Sequence, residues 1–242
     1  FGDLDLSIID EIPPGRKEVK TLIINPQKKS EAFMLIQKLV QEGSQAFIVY
    51  PLVESDEEEM IETNAAVNEY NRIKKEVFPQ FSVGLLHGRM KSEEKEKVMM
   101  NFRQGIYQIL VTTTVIEVGV DVPNAAIIMI EGANRFGLSQ LHQLRGRVGR
   151  GDKQSYCLLV PETEDAIENE RLKAMVSTSD GFKLAEIDLS QRGPGDFIGL
   201  RQSGYKEIRF SNIMNVRLIE KARSLAKEVL ENDPDFINED SH

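Results

Sequence analysis

The sequence predicts a doubly wound α/β fold, a parallel sheet with helices on both faces. Two observations predict it. Short, unbroken apolar runs recur along the chain, such as Ile109-Leu110-Val111 and Ile127-Ile128-Met129-Ile130, as strands buried on both faces require. Between them lie stretches whose apolar residues fall three and four apart, the mark of amphipathic helices. At 242 residues and 40% hydrophobic, the chain can bury a sizeable core.

Residues Phe1 to Arg16 read as a connector, punctuated by Ile12-Pro13-Pro14-Gly15. Thr21-Leu22-Ile23-Ile24 is the first strand. Pro26 then opens a helix where a missing N–H costs nothing, with Phe33, Leu35, Ile36 and Leu39 as core residues. Ala46 to Tyr50 is a strand. An acidic stretch from Glu54 to Glu62 precedes a helix through Tyr70 and Ile73, which Pro79 stops. Val83-Gly84-Leu85-Leu86 is the third strand. Ser92 is expected to cap the next helix, which ends near Gly105 and carries Val98, Met99 and Phe102 on one face. After the two apolar runs named above, a helix over Leu138 to Leu144 and a strand around Leu158 complete the α/β domain. Beyond Pro161 two short helices, Glu164 to Met175 and Phe182 to Leu189, are joined by Ser177-Thr178-Ser179-Asp180-Gly181. Gln191-Arg192-Gly193-Pro194-Gly195 cannot be helical throughout. A last helix is expected over Ile213 to Leu230, with a loosely ordered tail from Asp233. The expected divisions are a connector (1–16), the α/β domain (17–163), a helical hairpin and loop (164–209), and a C-terminal helix with acidic tail (210–242).

The net charge of −9 argues against nucleic acid as a partner, but the charge is uneven. Acids crowd residues 54–62, and no Lys or Arg follows Glu228. Arg135, Arg145, Arg147, Arg150 and Lys153 fall close together and predict a local basic face. Such a face can bind phosphate on an acidic protein, because charges beyond a Debye length of about 8–10 Å are screened. The single Cys157 excludes a disulfide framework and a Cys-rich zinc site; in its apolar strand it reads as a small core residue. A reducing, cytoplasmic compartment follows. No apolar run reaches the length of a membrane span, so no membrane partner is expected, and the scattered histidines suggest no metal site.

Three segments carry chemistry. In Gln143-Leu144-Arg145-Gly146-Arg147-Val148-Gly149-Arg150, glycines let a partner approach the backbone and guanidinium groups suit phosphate oxygens. A solvated basic loop is the plain alternative, but Gly and Arg at this spacing are costly to order and pack little. In the string from Leu110 to Pro123, an apolar strand ends in Thr112-Thr113-Thr114, followed by Gly119 and Asp121. Strand ends bearing hydroxyls can bind phosphate, although β propensity alone would also place Thr there. Leu86-His87-Gly88-Arg89 is a weaker signal: it resembles a helicase motif that lays backbone and side chain against single-strand phosphates, although His87 by itself is more often a structural histidine. Equally informative, no Gly is followed by Lys, so the sequence contains no G-x-x-x-x-G-K-[ST] phosphate loop.

The first two segments resemble motifs VI and V of superfamily 2 helicases. The stretch from Glu170 through Gly193-Pro194-Gly195 to Gly204 resembles the TRG motif shared by the RecG family and the transcription-repair coupling factor. Gly2-Asp3-Leu4-Asp5, Ile12 to Arg16 and Arg192 to Gly195 suit the RecG family better. The resemblance implies a RecA-like sheet with a helical hairpin and loop extension. It implies that Arg147 and Arg150 are arginine fingers, that Gly119, Asp121 and Gln143 face ATP, and that Gly88, Arg89 and Thr113 contact DNA. By the same likeness Arg171, Arg192 and Gln202 couple hydrolysis to translocation. ATP and Mg²⁺ would be held mainly by a first motor domain, since the phosphate loop is absent here. The implied partners are branched double-stranded DNA and the N-terminal motor and wedge domains of the same protein, acting as a monomer. Two alternatives are the equivalent motor of a transcription-repair coupling factor and a nucleic-acid-binding module with no ATPase role.

Overall fold

A computed structural model describes residues 17–51, 66–113 and 122–192, the last run without the side chains of Leu189, Gln191 and Arg192. Six strands form one sheet: β1 (Lys20–Ile23), β2 (Gln45–Tyr50), β3 (Val83–Leu86), β4 (Ile109–Thr113), β5 (Ala125–Glu131) and β6 (Tyr156–Val160). Their order is β1-β6-β5-β2-β4-β3, and every pairing is parallel. Parallel neighbours cannot be joined by a hairpin, so the chain must cross over a face of the sheet between strands. The described crossover helices are α1 (Lys29–Gln41), α2 (residues 66–72, running on into a π-helical turn, Ile73–Val77), α3 (Ser92–Arg103) and α4 (Leu138–Arg145). After β6 come α5 (Glu170–Ser177) and α6 (Gly181–Arg192). The chain divides into two compact units, Phe1–Leu184 and Ala185–His242; of the second, α6 as far as Arg192 is described.

From β1 to β2 to β3 the chain steps one way across the sheet, and from β3 to β6 it steps back. Right-handed crossovers put the outward steps on one face and the return on the other. Packing agrees. Ile36 and Leu39 of α1, Ile73 of α2 and Phe78 just beyond it share a buried cluster with Ile48, Val111, Ile127, Met129 and Leu158. Phe33 and Leu35 pack at the margin of this cluster, partly buried. Alternate strand residues turn to the opposite face, where Phe47 meets Phe102 of α3 with ring centroids 4.9 Å apart. Full burial of such a side chain is worth about 1.5–3 kcal/mol, more than a typical surface ion pair.

Several boundaries differ from the sequence pattern, each for a local reason. Pro26–Lys28 is a 3-10 turn ahead of α1, with the Asn25 side-chain oxygen accepting the Gln27 N–H at 2.8 Å. Ser92 is the first residue of α3 and not its cap. Lys91 holds the cap position, and its N–H is taken by the Glu94 carboxylate at 3.0 Å. A Glu three residues inside the helix thus replaces the hydroxyl before it. Asp165–Glu168 is a 3-10 turn, and Asn169 restarts the chain by accepting the N–H of Arg171 at 3.0 Å, so α5 begins later than its apolar spacing predicts. The expected connector, the acidic stretch and the helix over Ile213 to Leu230 lie outside the described residues.

Cys157 is completely buried in β6, and burial pushes its thiol up to about 12. Since the thiolate is the reactive form, alkylation at about pH 8 should spare Cys157 in the folded protein and label it on unfolding. Rapid labelling of the native protein would contradict this placement.

Candidate functional site

A sheet whose strands all run one way has a carboxyl edge and an amino edge. The residues singled out from sequence separate onto these two edges. At the carboxyl edge, His87, Gly88 and Arg89 leave β3 and Thr113 ends β4. These strands are neighbours with Leu86 beside Thr112, so the register brings the turn at Gly88 next to Thr113. Lys95 of α3 donates to the Gly88 carbonyl at 2.5 Å and pins the turn. Thr113 is fully buried, and among the described residues its hydroxyl has no hydrogen-bond partner. Burial, then the charges of Lys95 and Arg89, hold the His87 imidazole below its ordinary range, with Glu94 opposing them. His87 is therefore a half-buried residue whose neutral form is favoured in a positively charged corner. Further along this edge, Glu131 ends β5 in an ion pair with Lys29 at 2.5 Å, which ties the start of α1 to the sheet. Burial pushes that carboxyl upward and the Lys29 charge draws it back.

The loop after α4 lies at the amino edge. Gly149 adopts a left-handed conformation, φ +78°, and a Cβ there would lie 2.7 Å from a methyl of Val19, just ahead of β1. Its freedom lets the loop pass against its own chain. Lys153 donates to the Glu42 carbonyl at 2.8 Å and the Ser44 hydroxyl at 3.3 Å, just ahead of β2. Within this frame Arg147 is half-buried, and no hydrogen bond or ion pair engages its guanidinium among the described residues. Arg150 is exposed, with Nε donating to the Gly146 carbonyl at 3.3 Å, and Gln143 is exposed on α4. Gly119 and Asp121 lie outside the described residues; the chain is described again from Val122, immediately ahead of β5 and so at this same edge.

The expected basic face does not exist as one patch. Arg135 reaches Glu162 at 3.7 Å, Lys153 is engaged as above, and Arg145 is only 5% exposed. One terminal nitrogen of Arg145 donates to the carbonyls of Met175 and Thr178, both at 2.9 Å. The other reaches the Ser179 carbonyl at 3.1 Å and His142 Nδ1 at 3.0 Å. These are the orphan carbonyls at the end of α5 and its following turn. At the other end of α5, Arg171 donates to the Phe136 carbonyl, just before α4, at 3.1 Å. The two helices therefore lie side by side in the same direction, clamped at both ends by arginines. In the string Arg145 reads as part of the basic face, and the structure buries it instead. The available signal was its spacing: Leu138, Leu141 and Arg145 are i, i+3 and i+7, all on the buried face of α4. Arg192 ends α6, and Gln202 lies outside the described residues.

The family model for the helicase conserved C-terminal domain matches residues 28–152. The chain belongs to that family. A second model, ATP-dependent DNA helicase RecG, domain 3, C-terminal, matches residues 178–242. ATP-dependent DNA helicase RecG of Thermotoga maritima is 48% identical over 230 residues, which are 95% of this chain and 29% of the relative. The RecG of Aquifex aeolicus is 50% identical over 98% of this chain and 30% of its own length. The chain thus spans about three-tenths of the length of these curated relatives. A solved structure of RecG bound to a three-way DNA junction matches with a TM-score of 0.68 at 47% identity, over 91% of this chain and 28% of that one. The RecA-like fold and the likeness to RecG are both borne out. Among the described residues no helix is long and apolar enough to cross a membrane.

Proposed function

We propose that this chain is the second RecA-like half of an ATP-dependent superfamily 2 DNA helicase that remodels branched DNA, such as stalled forks and Holliday junctions. The observation that carries the proposal is Arg147, half-buried and, among the described residues, without a hydrogen bond or ion pair, while Arg135, Arg145, Arg150 and Lys153 are engaged. A planar cation held ready at a domain edge is what stabilises charge on a transferring γ-phosphate. Arg150 would act beside it, with Gln143, Gly119 and Asp121 facing the nucleotide. ATP supplies the phosphoryl group, and its Mg²⁺ would be held by the first motor domain; among the described residues here no group of His, Cys, Asp or Glu is placed to hold a metal ion.

DNA would run along the opposite, carboxyl edge, contacting Gly88, Arg89 and Thr113. The sheet then separates nucleotide from nucleic acid, with rigid strands between them. The α4–α5 clamp carries motion at the arginine loop to the helices beyond, where Arg171, Arg192 and Gln202 act in coupling. The match over residues 178–242 supports a RecG-type motor rather than a transcription-repair coupling factor. A binding module without ATPase would leave Arg147 with no task. The remaining expectations, a monomeric cytoplasmic protein whose wedge domain splits the junction, follow from the same likeness.

The test compares the full-length protein with this chain alone. The full protein should hydrolyse ATP in response to forked DNA and unwind the fork. The isolated chain, which contains no phosphate loop, should show no DNA-stimulated turnover. Turnover by the isolated chain, or a full-length protein inert on forks, would overturn the reading.

A further inference from the structure

We propose that His142 is a positioning residue for coupling: its neutral imidazole accepts the Arg145 guanidinium and holds the turn between α5 and α6 against α4, and proton uptake at Nδ1 undoes that hold. The contact stands on geometry alone, and its consequence for unwinding rests on the helicase reading above. His142 and Arg145 are i and i+3 on α4, neighbours on one face. An arginine can only donate, so the 3.0 Å contact fixes Nδ1 as a bare acceptor and puts the imidazole proton on Nε2.

The other edge of the ring is equally confined. A Cβ at Gly181, the first residue of α6, would lie 2.9 Å from His142 Nε2 and 3.3 Å from Cε1. The glycine is there to make room for the imidazole. One ring thus touches the guanidinium that grips the end of α5 and the residue that starts α6.

The charged groups facing the ring are Arg145 on α4 and Asp180 in the turn. Arg145 is faced in turn by Cys157 of β6 and Glu18 ahead of β1. The Asp180 carboxylate is already engaged, accepting the N–H of Phe182 at 2.8 Å and of Lys183 at 3.4 Å as the cap of α6. A second proton on the ring would remove the acceptor and place two cations 3.0 Å apart. Burial, then the Arg145 charge, hold the imidazole below its ordinary range, and Asp180 opposes them in part. The sign follows. With the attached pKa depressed, a released ring binds protons more readily, so the hold is complete above about pH 6.5 and weakens as pH falls through that value.

The experiment uses the full-length protein with His142→Asn and His142→Leu. Asn carries an oxygen on Cγ where Nδ1 stands, so it keeps an acceptor that does not titrate; Leu keeps bulk without an acceptor. Base pairs unwound per ATP hydrolysed are measured at about pH 8 and about pH 5.5, above and well below the ordinary imidazole value of about 6.5. The wild type should lose coupling several-fold at the lower pH, the Asn variant should hold its value at both, and the Leu variant should be poorly coupled at both. Independently, hydrogen exchange of the Thr178 and Leu184 amides, bonded to Ala174 and Asp180, is followed at neutral pH. It should quicken roughly ten-fold in the Leu variant, as loss of a charge-assisted hydrogen bond implies, and stay at the wild-type rate in the Asn variant. Wild-type exchange in His142→Leu, or the same acid response in His142→Asn as in the wild type, would overturn the proposal. A wild type that does not unwind forks would sink the helicase reading instead, and the exchange rates would still decide the His142 contact.

Discussion

Replacing Arg147 with Ala in the full-length protein is expected to lower ATP turnover by roughly 10³-fold or more, with DNA binding close to wild type. Arg147 is half-buried at the amino edge, and among the described residues its guanidinium makes no hydrogen bond or ion pair, so its removal breaks none of these and should not unfold the domain. The loss would therefore report transition-state stabilisation. Arg147→Lys keeps the charge but not the planar fork, and should recover only a small part of the rate. If Arg147 instead touched DNA phosphate, turnover would survive and binding would weaken, with a salt slope shallower by about one. Steady-state ATPase assays and a salt titration of fork binding, run on the same variant, separate the two roles.

Arg145→Met is expected to destabilise the domain by about 3 kcal/mol, from the cost of stranding carbonyls at the end of α5. Burial opposes the guanidinium charge, with Cys157 and Glu18 acting the other way. Met removes that desolvation cost, so the net effect turns on what it leaves behind. The bond to the Met175 carbonyl is buried, while those to Thr178 and Ser179 are partly exposed and can be replaced by water. One stranded buried acceptor and two rehydrated ones account for the estimate. Arg145→Lys, a single point of charge, should lose roughly half as much. The denaturant midpoint of the chain measures both. A midpoint unchanged in Arg145→Met would mean that burying the charge cancels everything the clamp contributes, as happens for some buried ion pairs.

The sheet was legible in the sequence because its signal is coarse. Strands such as Ile109 to Val111 and Ile127 to Ile130 are apolar throughout, and only a sheet covered on both faces hides such residues. Helix starts were harder to read. Ser92 is a better cap by type than Lys91, yet a carboxylate three residues on settled where α3 begins. The candidate site could be proposed from residue type, but its placement on the two edges of the sheet could not be read from the string. Arg145 and Arg147 look alike in the string, yet helical phase puts Arg145 on the buried face of α4 while Arg147 falls in the turn beyond its end. His142 likewise offered no sign of its proposed role: Arg145 is its neighbour within α4, but Gly181 comes against the ring only when α5 lies along α4.

β1 at the edge of the sheet has one neighbour, β6, and Thr21 meets Cys157 across that pairing. During synthesis the first strand must wait while more than a hundred residues are added, on the order of ten seconds at ribosomal rates. Non-local pairing over that span is late, and in the order of synthesis the pairings become available from the β3–β4 side of the sheet toward β1. Until then the backbone of Leu22 and Ile23 is without its β6 partner. Lys17, Glu18 and Lys20 lie ahead of those apolar residues, and charge at that position discourages the wrong partner until β6 arrives.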